Sequence, residues 1–194
     1  MSTLLLAGLG NPGREYENTR HNAGFAVLDA LASRAGLAWQ KQRAFRAETA
    51  RWDPAPDRSV LLVKPLLFMN DSGPAIQSAA GFFKIPAADI IAVHDDINIP
   101  FGFAKVSTSG GPGGHNGVAS LITCFGRAFT RYRVGIGPKE PKQMELKEFV
   151  LGKFTPEQQT LFDRHIDHHL TGIRVLLEQG ADRAMNLINR KTTT

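Results

Sequence analysis

One cysteine, Cys124, is all the thiol chemistry in 194 residues, which excludes an internal disulfide, and no cysteine or histidine run has the spacing of a metal-thiolate site. The expected address is a reducing one, the cytoplasm. Neither a secretory leader nor a membrane span is expected of the opening stretch. The opening MSTLLLAGLG carries no basic n-region, and Gly8 and Gly10 interrupt its apolar run. It reads as a first buried strand. Several catalytic signatures are absent too. No G-x-S-x-G elbow offers a serine nucleophile, and the glycine-rich GGPGGHNG stretch, Gly110 to Gly117, lacks the G-K-[ST] ending of a P-loop. No H-E-x-x-H accompanies His165, His168 and His169. Cys124 itself sits beside Phe125 in a helix-period segment with no neighbouring base, as a small core residue does. There is no internal repeat and no low-complexity tract.

What is present is an apolar share of 42% and a length suited to one domain over residues 1–194. Lysine and arginine exceed aspartate and glutamate by 23 − 18 = 5, and the sequence pI is near 9.6, which points to a polyanionic partner such as RNA or a phosphate-bearing ligand.

Short apolar runs at Thr3 to Ala7, Ser59 to Lys64, Ile90 to Val93, Ala104 to Ser107 and Arg131 to Ile136 give five strand candidates. Phe45 to Trp52 alternates weakly and reads as an added edge strand. Between the runs lie helical periods. Phe25, Leu28, Leu31, Ala32 and Ala35 share one face, as do Ile76, Ala79, Ala80 and Phe83, and then Val118, Leu121, Ile122 and Phe125. Thr155-Pro156-Glu157-Gln158 is a capping-box start for a long helix to Gln179, buried through Phe162, Ile166, Ile173 and Leu177, with its histidines on a solvated flank; Gly180 breaks it before a short terminal helix. WDPAPDR, from Trp52, and IGPKEPK, from Ile136, read as loops. Strands alternating with helices predict an α/β fold, a single domain whose twisted mixed, largely parallel sheet is flanked by helices.

GLGNPG, Gly8 to Gly13, satisfies the dinucleotide fingerprint G-x-G-x-x-G after a strand, the one feature favouring a nucleotide-dependent oxidoreductase. Its context argues otherwise, because Pro12 removes an amide and the helical period starts only near Ala23.

Polar residues able to do chemistry fall in the segments after predicted strands: Asn11 after the first, Asn70 after the second, Asp95 after the third and Asn116 after the fourth. In open α/β sheets that end of the strands is where ligands bind. His21, inside TRHNAGF, belongs to the same crevice. A histidine of ordinary pKa ~6.5 can take a proton from water at neutral pH, and a carboxylate on its other nitrogen fixes the tautomer. Asp95 is the candidate partner, with Asp96 and His94 as alternatives; neighbours on a strand point to opposite sides, so at most one of the two aspartates faces His21. Asparagines suit recognition of an amide or a developing oxyanion.

The segments GLGNPGREYENTRHNAGF, KPLLFMNDSG, HDDINIPFG, GGHNG and EFVLGKF, in that order, resemble the signature segments of bacterial peptidyl-tRNA hydrolase over nearly the whole chain. The resemblance implies an enzyme that cleaves the ester between a peptide, or other N-blocked aminoacyl group, and the terminal ribose of tRNA, recycling tRNA from prematurely released chains. It implies no metal, no organic cofactor and no membrane partner, and a monomer in the cytoplasm. By the same resemblance His21 is the general base on water, Asp95 the carboxylate that holds it, and Asn11 the group that tells blocked from free aminoacyl-tRNA. Tyr16, Phe68, Asn70 and Asn116 line the substrate cleft, and Lys105 and Arg133 meet tRNA phosphates. Asn98, Leu67, Pro112 and the lack in GIGPKE of the usual arginine after GIG depart from the family pattern and bear on loop shape and local phosphate contacts. An RNA-binding module without activity is the alternative that the basic balance and these departures would allow.

Overall fold

The structure, a computed structural model, describes residues 2–189. Seven strands, β1 (Ser2–Gly8), β2 (Gln40–Gln42), β3 (Ala47–Ala55), β4 (Arg58–Pro65), β5 (Ile90–Pro100), β6 (Ala104–Ser107) and β7 (Thr130–Gly137), form one sheet in the order β2-β3-β4-β1-β5-β7-β6. The middle is parallel, with β1 between β4 and β5, and β5 beside β7. Both flanks are antiparallel, β2 and β3 on one side and β6 on the other.

The near-continuous apolar runs of the central strands follow from having both faces covered. Leu6 faces α1 (Ala23–Arg34) and α5 (Pro156–Ile188), while its neighbours Leu5 and Ala7 face α2 (Ser72–Phe83) and α3 (Asn116–Phe125). All three side chains are fully buried, so a polar substitution at any of them strands a group in one core or the other. The mixed, centrally parallel α/β sheet is the architecture that the alternation of strands and helices predicts.

Several local expectations change. β3 is not an edge strand, because the polar β2 (QKQ) pairs outside it and carries no apolar run by which to be recognised. Phe45 and Arg46 precede β3 in a turn rather than joining it. WDPAPDR is a hairpin rather than a loop: Trp52 to Ala55 end β3 and Arg58 begins β4. Pro54 is accommodated there by a register irregularity between Trp52 and Ala55. β5 continues past Val93 to Pro100, so Asp95 lies on the strand itself, and EFVLGKF contributes an unexpected short helix, α4 (Leu146–Leu151). Phe83, expected on the buried face of α2, is 41% exposed. α2 ends there on Lys84 in the left-handed conformation.

The start of α5 has both bonds of the capping box, Gln158 N–H to Thr155 Oγ1 and Thr155 N–H to Gln158 Oε1, each 3.2 Å. Gly180, at φ 82°, interrupts the helix as its position in the sequence implies. His169, however, is not on a solvated flank. It is fully buried against Tyr132, whose hydroxyl donates to the His169 carbonyl at 3.3 Å.

Burial lowers the pKa of His169 to about 3, and the same cause, with His115 next in weight, lowers His94 on β5 to about 3. A histidine held neutral in the folded state stabilises nothing on protonation, whereas the unfolded chain takes up a proton below ~6.5. Stability is therefore full above that value and falls as pH drops toward 3. At pH 5 each histidine is expected to cost about 2 kcal/mol relative to pH 7.5. Urea midpoints at the two values test this, and His169→Leu is expected to remove about half of the difference.

Candidate active site

Gly24, in the first turn of α1, lies so close to the central strands that a Cβ would stand 2.3 Å from Val93 O and 2.6 Å from Leu9 O. Only glycine permits this approach. It sets the preceding turn, Arg20–Asn22, over the carboxyl ends of β1 and β5. Arg20 anchors that turn from behind. Its guanidinium sits 4.5 Å over the Phe149 ring and donates to Phe149 O at 3.2 Å and to Gln158 Oε1 at 2.8 Å.

His21 Nδ1 lies 2.9 Å from Asp95 Oδ1, and both residues are buried to within 9% exposure. The same oxygen receives His115 Nε2 at 3.0 Å. His115 is the N-cap of α3 and its Nδ1 accepts the N–H groups of Gly117 and Val118 at 3.1 and 3.2 Å. That leaves the proton of His115 on Nε2, where it must donate to Asp95. His21 likewise donates through Nδ1, so its Nε2 carries the free lone pair, and no protein group among the described residues bonds to it. Burial opposes ionisation of Asp95, but the two imidazoles bonded to it outweigh burial and hold the carboxyl far below the usual carboxylate range. An imidazole so arranged can accept a proton from a water while the carboxylate stabilises the resulting cation.

His21, Asp95 and His115 also have the proximity of a metal-ligand set. The tautomer of His115 works against it, since its Nε2 holds the ring's one proton while two amides occupy Nδ1.

Asn11 and Asn22 brace each other: Asn11 N–H donates to Asn22 Oδ1 and Asn22 Nδ2 donates to Asn11 O, both at 2.9 Å. Asn11 Oδ1 accepts Met69 N–H at 2.8 Å, which fixes the carboxamide and leaves its NH2 group to serve the cleft.

These residues open on a cleft of about 580 Å³ whose lining includes Asn11, His21, Phe68, Asn70, Asp95 and Asn116. Asn70 is exposed and donates to Asp71 at 3.1 Å, and Asn116 begins α3. Tyr16 stands edge-on to Phe68, ring centres 6.2 Å apart, just outside the lining. α4 closes one wall with Leu146, Lys147 and Val150. Asn98 and Pro112, two of the departures from the family pattern, are on the cleft surface, and Leu67 is half-buried beside Phe68.

Lys105 and Arg133 are register partners across β6 and β7, away from the cleft lining. Arg133 is not a free cation, because Asp96 accepts from its Nε at 2.8 Å and its Nη2 at 2.7 Å. Asp96 therefore faces Arg133 and Asp95 faces His21. His94 turns its Nδ1 to Asp95 O at 2.8 Å and does not bond to His21. GLGNPG opens no helix: a 3-10 turn, Arg14–Tyr16, follows it and α1 starts at Ala23.

His115 is the group that reading the sequence misses. Its signal was a histidine directly before a helix-period segment, where an N-cap acceptor belongs, but the surrounding glycines suggest a phosphate loop instead.

The family model described as Peptidyl-tRNA hydrolase matches residues 5–194. A peptidyl-tRNA hydrolase of Pelobacter propionicus is 42% identical over 192 residues, covering 98% of this chain and 97% of that protein. One from Akkermansia muciniphila is 42% identical over 186 residues, covering 95% of each. The crystal structure of peptidyl-tRNA hydrolase from Acinetobacter baumannii superposes with a TM-score of 0.88 at 36% identity, covering 96% of this chain and 94% of that one.

Proposed function

From the premise that the chain belongs to the peptidyl-tRNA hydrolase family, enzymes that hydrolyse the ester bond of peptidyl-tRNA, we propose that His21 is its general base, Asp95 the group that orients it, and Asn11 its selectivity determinant. The observation that carries this reading is the 2.9 Å contact of His21 Nδ1 with the Asp95 carboxylate, which leaves Nε2 beside the cleft as the nitrogen able to accept a proton.

Water on Nε2 gives up a proton as its oxygen attacks the ester carbonyl carbon. The carbonyl oxygen takes the electron pair, and the carboxamides of Asn70 and Asn116 supply neutral donors in the same cleft. Collapse of the tetrahedral species breaks the bond to the ribose oxygen, which recovers the proton from the His21 imidazolium. The products are the free peptide acid and a tRNA returned to use.

The fixed NH2 of Asn11 suits a carbonyl of the peptide or blocking group. A free aminoacyl ester presents an ammonium instead, so donor meets donor and the site is left unsatisfied. Tyr16 and Phe68 offer an aromatic wall to the substrate, and Lys105 and Arg133 carry positive charge toward tRNA phosphates, Arg133 with part of its charge already met by Asp96.

The test is turnover of an N-blocked aminoacyl-tRNA against the same tRNA carrying a free amino acid. Hydrolysis is expected for the first alone. Asn11→Ala is expected to narrow the gap by about tenfold or more, and an unchanged ratio removes Asn11 from selection.

A further inference from the structure

Phe82 is 70% exposed at the end of α2, next to Phe83 at 41%. Their ring centres lie 5.0 Å apart, and both rest on the buried ring of Phe45 at 5.3 and 5.9 Å. The aromatic group is bordered in sequence by Arg43 and Arg46 on one side and Lys84 on the other, all exposed and none within an ion pair among the described residues. Two of these cations have left-handed backbones, Arg46 at φ 51° and Lys84 at φ 55°; among the described residues Asn18 is the remaining non-glycine residue with positive φ. Glycine adopts this conformation freely, so the side chains at 46 and 84 sit on backbone that glycine would relax.

The place of the turn matters as well. Ala47 pairs with Pro65 at the carboxyl end of β4, and Arg46 O accepts Leu66 N–H at 2.8 Å, so the turn stands on the rim of the sheet that carries the cleft. It occupies the flank opposite β6 and β7, where Lys105 and Arg133 lie.

We propose that Phe82, Phe83, Arg43, Arg46 and Lys84 form a second RNA-contact surface, which stacks unpaired nucleotides of the tRNA on the phenylalanine rings and meets their phosphates with the three cations. Aromatic faces accept any base, and cations beside them give the salt-sensitive attraction typical of single-stranded RNA sites. Like charge disfavours a second copy of this chain on the same surface. The proposal rests on the reading that tRNA is the substrate, in that it extends the contact beyond the ester-bearing end.

The test combines Arg46→Gly, Lys84→Gly and Phe82→Ser in one variant; both glycines relax left-handed residues, so the fold is spared. KM for full-length N-blocked aminoacyl-tRNA is expected to rise about tenfold, with kcat unchanged. The Kd for uncharged tRNA is expected to rise in parallel and its log–log salt slope to fall by about 1.5. Hydrolysis of an N-blocked aminoacyl ester on the CCA trinucleotide alone is expected to be unaffected. Unchanged Kd for uncharged tRNA overturns the proposal, as does equal loss on the long and short substrates, or a wild-type dimer in sedimentation that the variant abolishes. If the wild type cleaves neither substrate the hydrolase reading fails, while uncharged-tRNA binding still decides this surface.

Discussion

Replacing His21 by alanine is expected to lower turnover of an N-blocked aminoacyl-tRNA by ~10²–10⁴ with KM nearly unchanged, the size of effect that general bases have elsewhere. The expectation follows from geometry. Of the two rings bonded to the Asp95 carboxylate, His21 is the one with a free lone pair on its other nitrogen, since His115 holds its proton toward Asp95 and its Nδ1 accepts two amides. Folding should survive, because the ring contributes one hydrogen bond and Asp95 keeps its donor from His115. A circular dichroism melt run beside the kinetics separates the two effects. A His21→Ala enzyme with the wild-type rate would remove that imidazole from the reaction.

Asp95→Asn is expected to be nearly as damaging, by ~10²–10⁴ in kcat. The carboxamide has almost the shape of the carboxylate, yet it brings an NH2 group and no charge. Both rings bond the same oxygen, Oδ1: an NH2 group in its place obliges His21 to accept through Nδ1 and to carry its proton on Nε2, whereas a carboxamide oxygen there keeps the tautomer but has no charge with which to stabilise the imidazolium. Either placement impairs the base. The pH profile discriminates this from simple misfolding. Activity of the variant should recover partly at high pH, where hydroxide substitutes for a base, while a merely structural defect would scale the whole profile down. A rate within about threefold of wild type would mean that Asp95 does no more than hold the turn in place.

Reading the sequence placed the sheet class and most of the helix faces because these depend on apolar periodicity, which each strand and helix carries in its own residues. The edge strand β2 escaped because QKQ has no such period and forms only through pairing with β3. Phe83 was assigned to the core by the same logic that correctly buried Ile76 and Ala79, but it is the last residue of the helix and rests against Phe45 with 41% of its surface exposed. In the cleft, His21 and Asp95 were recognisable as types and the choice of Asp95 over Asp96 was not. It depends on strand register, which turns Asp96 to Arg133. His115 was hidden for another reason: its cap bonds to Gly117 and Val118 are local, but its role comes from the bond to Asp95, 20 residues back in the chain, and nothing in GGHNG announces a shared carboxylate oxygen.

Gln158 Oε1 receives both the amide of Thr155, the N-cap of α5, and the guanidinium of Arg20, two positions ahead of Asn22 and one ahead of His21. One carbonyl thus finishes two structures that lie 138 residues apart in the chain. During synthesis the turn bearing His21 leaves the ribosome 138 residues ahead of Gln158, so this one of its anchors waits for the start of the last long helix. The same cap that begins that helix then completes the support behind the cleft.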